Sequence, residues 1–417
     1  MKLLQEVSIE RLIYGGYGLS KIEGKRLMVE YALPGERVDV EALQEKKDYI
    51  IGRVKRVLEA SPQRRKAPCP YYGLCGGCQL QHMDYKAQLK AKEEILLETL
   101  KRIGKLEVED LKDPLFSQEF GYRVKVQFKV EKGHIGFYER RSHRLVEIAQ
   151  CLLLHPSNNE ILPSLRELAK KLRELVEIEV VYSPREEEFL IKLFSESEIP
   201  KEKIRKLMED ALPKKVVGVG LYTGNKFYHL GRDFTFLKIG PYLYRLSMDS
   251  FIQVNHLLWE SFIKAALPEG TFQKILELHC GIGFFSLFLA KKAGFVLAYD
   301  NNSRAIRDAE YNAKINSVGN LSFGQEKSGI ALKKHAGEVI DLIFLDPPRS
   351  GLSEGEAHLI LQNKPKSLVY VSCEPTTFAR DLKVLTKGGY KLLSLRMVDN
   401  FPNTYHIEAI AHLEIGS

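Results

Sequence analysis

The sequence predicts a multidomain protein with a small N-terminal β-barrel, an α+β central domain and a C-terminal α/β domain of Rossmann-like architecture. Three observations carry this prediction. Residues 1–60 break into short strands punctuated by glycine and proline. Residues from about 241 onward alternate strand and helix, the pattern of a parallel sheet covered by helices. The stretch between mixes both patterns and is entered through a cysteine cluster. A chain of 417 residues has room for two or three domains, at roughly 150 residues each.

In the N-terminal part, Gly15-Gly16-Tyr17-Gly18 is a turn cluster, and Arg26 to Leu33 alternates in character until Pro34-Gly35. Strands are expected over Val38–Leu43 and Tyr49–Val57, which suits a barrel of the oligonucleotide-binding (OB-like) sort. Residues 61–68 form a basic, proline-flanked linker. Met83 to Lys105 reads as one helix, with Leu89, Leu96, Leu100 and Ile103 at helical spacing. The central part contains expected strands at Val124–Val130 and Val176–Tyr182 and a helix at Leu162–Glu174. In the last part, strands are expected at Lys274–Leu278, Val296–Tyr299, Leu342–Leu345 and Ser367–Val371. Ser303 is the expected N-cap of the helix ending before Gly319, and Pro375 suits the first turn of a helix that stops at Gly388-Gly389.

The net charge of +8 suits a polyanionic partner such as RNA. No run of ~18 uncharged apolar residues occurs, so no transmembrane helix is expected. The N-terminus carries Glu6 and lacks a long apolar stretch, so it does not read as a signal peptide, and a cytoplasmic location is expected. Six cysteines in such a chain point to metal or catalytic chemistry ahead of disulfides. Cys69, Cys75 and Cys78 are clustered, with Cys151 far downstream. The spacing matches neither a zinc ribbon nor a plant-type ferredoxin, and by itself fits zinc and iron–sulfur equally.

Ile275 to Phe285 is a buried strand, a glycine turn at Gly281 and Gly283, then a helix, a geometry that lets a ligand approach the backbone. Asp300 ends the next strand, where a carboxylate can hold ribose hydroxyls. Ser286 stands where a dinucleotide fingerprint has its third glycine, which disfavours NAD. Asp346-Pro347-Pro348-Arg349 follows the next strand, resembling the active-site motif of nucleic-acid methyltransferases, with Arg349 where amine-methylating enzymes carry an aromatic ring.

Tyr370-Val371-Ser372-Cys373-Glu374-Pro375 sets a cysteine at the carboxyl end of a buried strand, before a helix whose N-terminus is expected to lower its pKa. C5 of uracil is a poor nucleophile. Thiolate addition to C6 makes C5 enolate-like, and a base must then remove the C5 proton before the thiolate can leave, so a cysteine and a general base are needed together. Phe401 to Ile410 is a turn and a final strand. His406 and Glu408 share one of its faces, and either can serve as the base.

With these motifs in order, the chain resembles the uracil-C5 RNA methyltransferase family, specifically its RumA/RlmD branch, which acts on 23S ribosomal RNA. The resemblance spans nearly the whole chain. Residues 69–82 are very close to that branch's cluster motif, Phe251-Ile252-Gln253-Val254-Asn255 matches its F-x-Q-x-N motif, and D-P-P-R, S-C-x-P and F-P-x-T-x-H-x-E follow. It implies a TRAM RNA-binding barrel over 1–62, a central iron–sulfur and RNA-binding domain over 63–82 and 113–240, and a class I methyltransferase domain over 83–112 and 241–417. It further implies Cys373 as nucleophile and Glu408 as base. Gln253, His279, Asp300 and Asp346, with the Gly281 turn, would bind S-adenosylmethionine, and Cys69, Cys75, Cys78 and Cys151 would hold a 4Fe-4S cluster.

Three departures stand out. Glu277 replaces a common Asp, His279 replaces an aromatic residue, and Glu326-Lys327 replaces a Gly-Asp-type adenine contact. Residues 121–125 and 138–144 are candidate RNA contacts, on the expectation that a flipped uridine is held by cations and aromatic rings. The expected partner is 23S rRNA, with the tRNA T-loop as second substrate, acted on by a monomer. Rival readings are cytosine-C5 methylation and a non-catalytic iron–sulfur RNA-binding or redox-sensing protein.

Overall fold

The computed structural model describes residues 2–224 and 226–416. The first sixty residues form a six-stranded sheet in the order Leu3–Ser8, Arg37–Glu45, Tyr49–Glu59, Lys25–Glu30, Tyr17–Ile22, Arg11–Ile13. Its apolar side packs Leu4, Ile9, Leu27, Val29, Val38, Val40 and Ile50 into a small core of its own.

The central residues build a seven-stranded sheet running Leu145–Glu147, His134–Tyr138, Lys125–Glu131, Leu175–Ser183, Glu188–Ser195, Val216–Thr223, Lys226–Gly231. All its pairings are antiparallel except Glu188–Ser195 with Val216–Thr223. The expected helix ends early, at Leu162–Lys171, because Leu172 leaves helical geometry with ψ 74°. The hairpin Phe234–Ile239/Tyr242–Ser247 straddles the expected boundary after residue 240. Two side chains of the helix Ser303–Ile315 and that of its C-cap, Asn316, stitch the hairpin down. Asn312 and Asn316 accept from the Arg245 and Leu243 amides at 2.6 and 2.9 Å, and Asp308 from Ser247 at 2.8 Å.

The C-terminal part is an eight-stranded sheet ordered Leu321–Gln325, Ala293–Asp300, Phe272–Leu278, Leu342–Leu345, Ser367–Ser372, Glu408–Ile415, Tyr390–Asp399, Leu111–Phe116. The first five strands are parallel, as expected. The sheet as a whole is mixed, because Glu408–Ile415 runs antiparallel to both neighbours. A short connection from Tyr390–Asp399 can only return antiparallel, since a parallel pairing needs a crossover of a dozen or more residues. Leu111–Phe116 adds parallel to Tyr390–Asp399, across the expected boundary after residue 112.

Strand periodicity of two divides the apolar residues between two cores. Ile275, Leu342, Phe344, Val369 and Val371 face one core, which runs on through the hairpin into the central sheet. Leu276, Leu278, Ile343, Leu345, Leu368 and Tyr370 face the other, with Leu89, Leu96 and Leu100. The expected helix over 83–105 is an α-helix at Tyr85–Thr99 that widens into a π turn at Leu100–Gly104. The N-cap expected at Ser303 is Asn302, whose side chain accepts from the Arg304 and Ala305 amides. An amide oxygen caps as well as a hydroxyl, and Ser303 becomes the first helical residue.

One buried ion pair ties this early helix to the sheet. Lys92 Nζ lies 2.6 Å from Asp399 Oδ1, with the two side chains 1% and 0% exposed. Lys92 also donates to the Phe401 carbonyl at 3.1 Å, and the Tyr85 hydroxyl donates to Asp399 at 2.9 Å. Removing one partner leaves the other charge buried and unpaired, which costs about 3–5 kcal/mol. Lys92→Met is therefore expected to lower unfolding free energy by that amount in denaturant titration, and Lys92→Met/Asp399→Leu to recover most of it.

Candidate active site

The return of the last strand determines what meets at the carboxyl edge of the sheet. Val371 pairs with Ile410 and Ser372 with Ala409, so the next step of the register sets Cys373 opposite Glu408. Cys373 follows its strand directly, and the helix Pro375–Lys387 begins two residues later, with Glu374 as N-cap and Pro375 in the first turn. Asp346 ends the neighbouring strand, and its amide donates to the Leu278 carbonyl at 3.4 Å. The strands Phe272–Leu278 and Leu342–Leu345 lie on either side of the point where strand order reverses, which is where ligands sit in open α/β sheets.

The electrostatics correct one expectation. Burial pushes the Cys373 thiol up to about 12, with Glu408 and then Asp346 adding to the rise and Arg349 opposing it. The helix N-terminus therefore does not lower the thiol pKa, because burial first, and two neighbouring carboxyls after it, outweigh it. Burial, with Asp346 next, raises Glu408 to about 8, and burial with Asp300 raises Asp346 to about 7. Glu277 is raised to about 8, again by burial first. Among the described residues, Glu277 Oε1 and Oε2 and Glu408 Oε2 have no hydrogen-bonding protein partner. His406, which precedes the strand, is lowered to about 3 by burial and nearby cations. Of the two candidate bases, Glu408 is thus by far the better proton acceptor near neutral pH.

The glycine turn sits beside this edge. His279 takes φ +64°, unusual for a residue with a Cβ, and Gly281 has φ +55° with open space around an added Cβ. The Gly281 amide donates to Asp300 Oδ2 at 3.0 Å and the Asn302 amide to Oδ1 at 2.8 Å, leaving lone pairs on both oxygens for hydroxyl groups. A cavity of about 380 Å³ opens here, lined by His279, Asp300, Glu326, Lys327, Ser328 and Glu356 among others. A larger cavity of about 810 Å³ lies where the strands begin, near Phe272, Leu342 and Ser367, at the edge where ligands do not sit. Cys280 is buried.

Gln253 is buried, and its side-chain oxygen accepts from Asn400 Nδ2 at 2.9 Å. Asn400 also helps hold Glu408 down against the stronger upward effects on its pKa. Asn400 was not singled out from the sequence; its only signal was its place just before the F-P-x-T turn.

Cys69, Cys75, Cys78 and Cys151 are all free and half-buried, and their thiols lie within electrostatic reach of one another. Burial pushes Cys151 up to about 11 and Cys78 well above its ordinary range. Among the described residues, no three Cys, His, Asp or Glu side chains converge on a single ion.

The candidate RNA contacts divide. In 121–125, Tyr122 is fully buried and donates to the Pro402 carbonyl at 3.1 Å, while Lys125 pairs with Glu179 at 3.3 Å. Neither is free to meet RNA, because Tyr122 is packed inside and Lys125 is held by Glu179. In 138–144, Arg140 and Arg141 pair with the buried Glu30 of the N-terminal sheet, at 3.5 and 3.1 Å. Arg141, His143 and Arg144 remain exposed.

Carboxyls held neutral by burial form a site suited to a cation. Asp346 loses its proton near pH 7, and a cation favours the ionised form. Its affinity therefore rises as pH increases through 7 and falls below it. Titration calorimetry with S-adenosylmethionine, a sulfonium, is expected to show tighter binding at pH 8 than at pH 6. Asp346→Asn should weaken binding roughly tenfold, the loss of one hydrogen bond to a charged group, and flatten this dependence.

Comparison with known proteins agrees with this geometry. The tRNA (Uracil-5-)-methyltransferase family matches residues 84–415. An uncharacterized RNA methyltransferase of Aquifex aeolicus is 48% identical, covering 98% of both chains. One from Halalkalibacterium halodurans is 35% identical, covering 98% of this chain and 96% of its own. The crystal structure of the Pyrococcus abyssi tRNA (uracil-54, C5)-methyltransferase with S-adenosyl-L-homocysteine superposes with TM-score 0.78 at 25% identity, over 98% of this chain and all of that one. No helix among the described residues is long and apolar enough to cross a membrane. With the family matching most of its length, the chain belongs to the tRNA (uracil-5-)-methyltransferase family, and is an S-adenosylmethionine-dependent RNA uracil-C5 methyltransferase.

Proposed function

We propose that the reaction proceeds through a covalent adduct between Cys373 and C6 of a flipped uridine, with Glu408 removing the C5 proton. The observation that carries this reading is the electrostatic proximity of Cys373 and Glu408 at the end of the Ser367–Ser372/Glu408–Ile415 strand pair. S-adenosylmethionine supplies an electrophilic methyl on a sulfonium. Gly281, Asp300 and the His279 turn would hold its nucleoside end, and Asp346 and Gln253 the end near the reacting atoms. Arg349 favours the Cys373 thiolate. The thiol proton passes to solvent water, thiolate addition to C6 pushes electrons to C5, and C5 takes the methyl group from the sulfonium, which leaves as the neutral thioether S-adenosylhomocysteine. Glu408, raised to about 8, then takes the C5 proton, and the C6–S bond breaks to return the thiolate.

We read 23S rRNA as the substrate, on the similarity of residues 69–82 to the cluster motif of enzymes that act there. The similarity of the whole chain to a tRNA (uracil-54, C5)-methyltransferase favours a second reading, a tRNA uridine. Cys69, Cys75, Cys78 and Cys151 would carry a 4Fe-4S cluster. The raised thiol pKa values of Cys75, Cys78 and Cys151 suit ligands that need a cation to ionise. The methylation consumes no electrons, so the cluster would hold the central part rigid. The N-terminal sheet would act as a TRAM RNA-binding barrel over 1–62, beside the iron–sulfur unit over 63–82 and 113–240 and the methyltransferase unit over 83–112 and 241–417. The enzyme would work as a cytoplasmic monomer.

Anaerobically purified protein, incubated with S-adenosylmethionine and either 23S rRNA or tRNA transcript, should yield 5-methyluridine by nucleoside mass spectrometry. The transcript that responds identifies the substrate, and silence of both would overturn the reading. Cys373→Ala should abolish the product. Glu408→Gln should slow it roughly 10²–10⁴-fold while a denaturation-resistant protein–RNA adduct accumulates. Iron and acid-labile sulfide should each approach four per chain if the cubane assignment holds, and Cys78→Ser should lower both; zinc in their place would reject it.

A further inference from the structure

The turn that joins the strands Arg11–Ile13 and Tyr17–Ile22 of the N-terminal sheet reaches the candidate active site. The Tyr14 hydroxyl donates to Glu374 Oε2 at 2.7 Å, one residue after Cys373. The Tyr14 ring meets Tyr405 edge-on at 5.4 Å between centroids, and Tyr405 lies 4.2 Å from the His406 ring. Arg349, which acts on Cys373 and Glu408, is within electrostatic reach of Tyr14 as well.

The turn is built for this approach. Gly15 and Gly16 take φ +94° and +72°, and a Cβ on Gly16 would sit 2.8 Å from Gln79 Cβ and 3.5 Å from Tyr405 Cβ. The Gly15 carbonyl accepts from the Arg140 guanidinium, whose Cζ lies 4.3 Å from the Tyr17 ring centroid. The tip of the N-terminal sheet is therefore pinned between the central part and the catalytic loop, with its tyrosine aimed at the N-cap of the helix that follows Cys373.

We propose that Tyr14 is a positioning residue for methyl transfer: its hydroxyl holds Glu374, and with it the backbone of Cys373, while its ring packs edge-on against Tyr405. This rests on the reading of Cys373 as nucleophile.

The test measures RNA affinity and single-turnover 5-methyluridine formation at saturating RNA, on the responding transcript. Tyr14→Phe keeps the ring and removes the hydroxyl. The expected result is an RNA Kd within twofold of wild type and a rate lower by roughly tenfold, the loss of one hydrogen bond to a charged acceptor. Glu374→Ala breaks the same bond from the other side, and the double variant should fall by less than the product of the two single effects. An unchanged Tyr14→Phe rate beside an active wild type overturns the role of Tyr14 and leaves the reaction assignment standing. So does a variant that loses only RNA affinity. Absence of 5-methyluridine with the wild type overturns the reaction assignment, and the inference with it.

Discussion

The antiparallel return of Glu408–Ile415 between two other strands is the constraint on which the site depends. A side-chain period of two leaves no freedom in what it presents. Slipping the register by one residue would turn Glu408 away from Cys373 and every apolar residue of that strand to the wrong core. The burial of Ala409, Ile410, Ala411 and Leu413 therefore fixes the geometry of the candidate site as a consequence of packing. The Lys92–Asp399 pair acts on the same element from outside, since Asp399 ends the strand that pairs with Glu408–Ile415 and Lys92 also grips the start of the intervening turn.

What this arrangement does to charge follows directly. Glu277, Asp346 and Glu408 are each raised well above the usual carboxylate range, chiefly by burial. Groups raised in this way stabilise the fold most at low pH, and that contribution is lost as pH rises toward their folded pKa values, between about 7 and 8. A site that destabilises its own protein at working pH is the usual accompaniment of a strained, preorganised centre. Relief comes with a cationic ligand, so binding and stability are linked.

The sequence made the parallel half of the large sheet legible, because each strand there is a short apolar run bounded by turn residues. It made Cys373, Asp346, Gly281 and Glu408 legible as candidates, because they cluster at strand ends. Other features escaped it. The strand Leu111–Phe116 has Lys112, Asp113 and Pro114 in its middle, an edge strand's composition with no alternation to find. The upward direction of the Cys373 pKa shift comes first from burial and then from carboxyls on neighbouring strands, both properties of packing between segments distant in sequence. Tyr122, in a run with Arg123 and Lys125, looked like an RNA contact from composition, and only burial separates such a residue from an exposed one. Asn400 and Tyr14 carry no motif of their own; their positions acquire meaning through Gln253 and Glu374, which lie far away along the chain.

Leu111–Phe116 is synthesised early, yet its sheet partner, Tyr390–Asp399, is among the last residues made. The helix Tyr85–Thr99 likewise waits for Phe378, Leu382 and Leu395 to complete its core. During synthesis this part of the chain must hold an unpaired strand edge and an uncovered apolar helix face while most of the polypeptide is still unmade. Contacts of such long sequence separation form slowly and leave sticky surfaces exposed in the meantime. Lys112, Asp113 and Pro114, in the middle of that strand, are the residue types that discourage premature pairing with other chains. The composition that hid this strand from sequence reading is thus the composition that lets it wait safely at the ribosome.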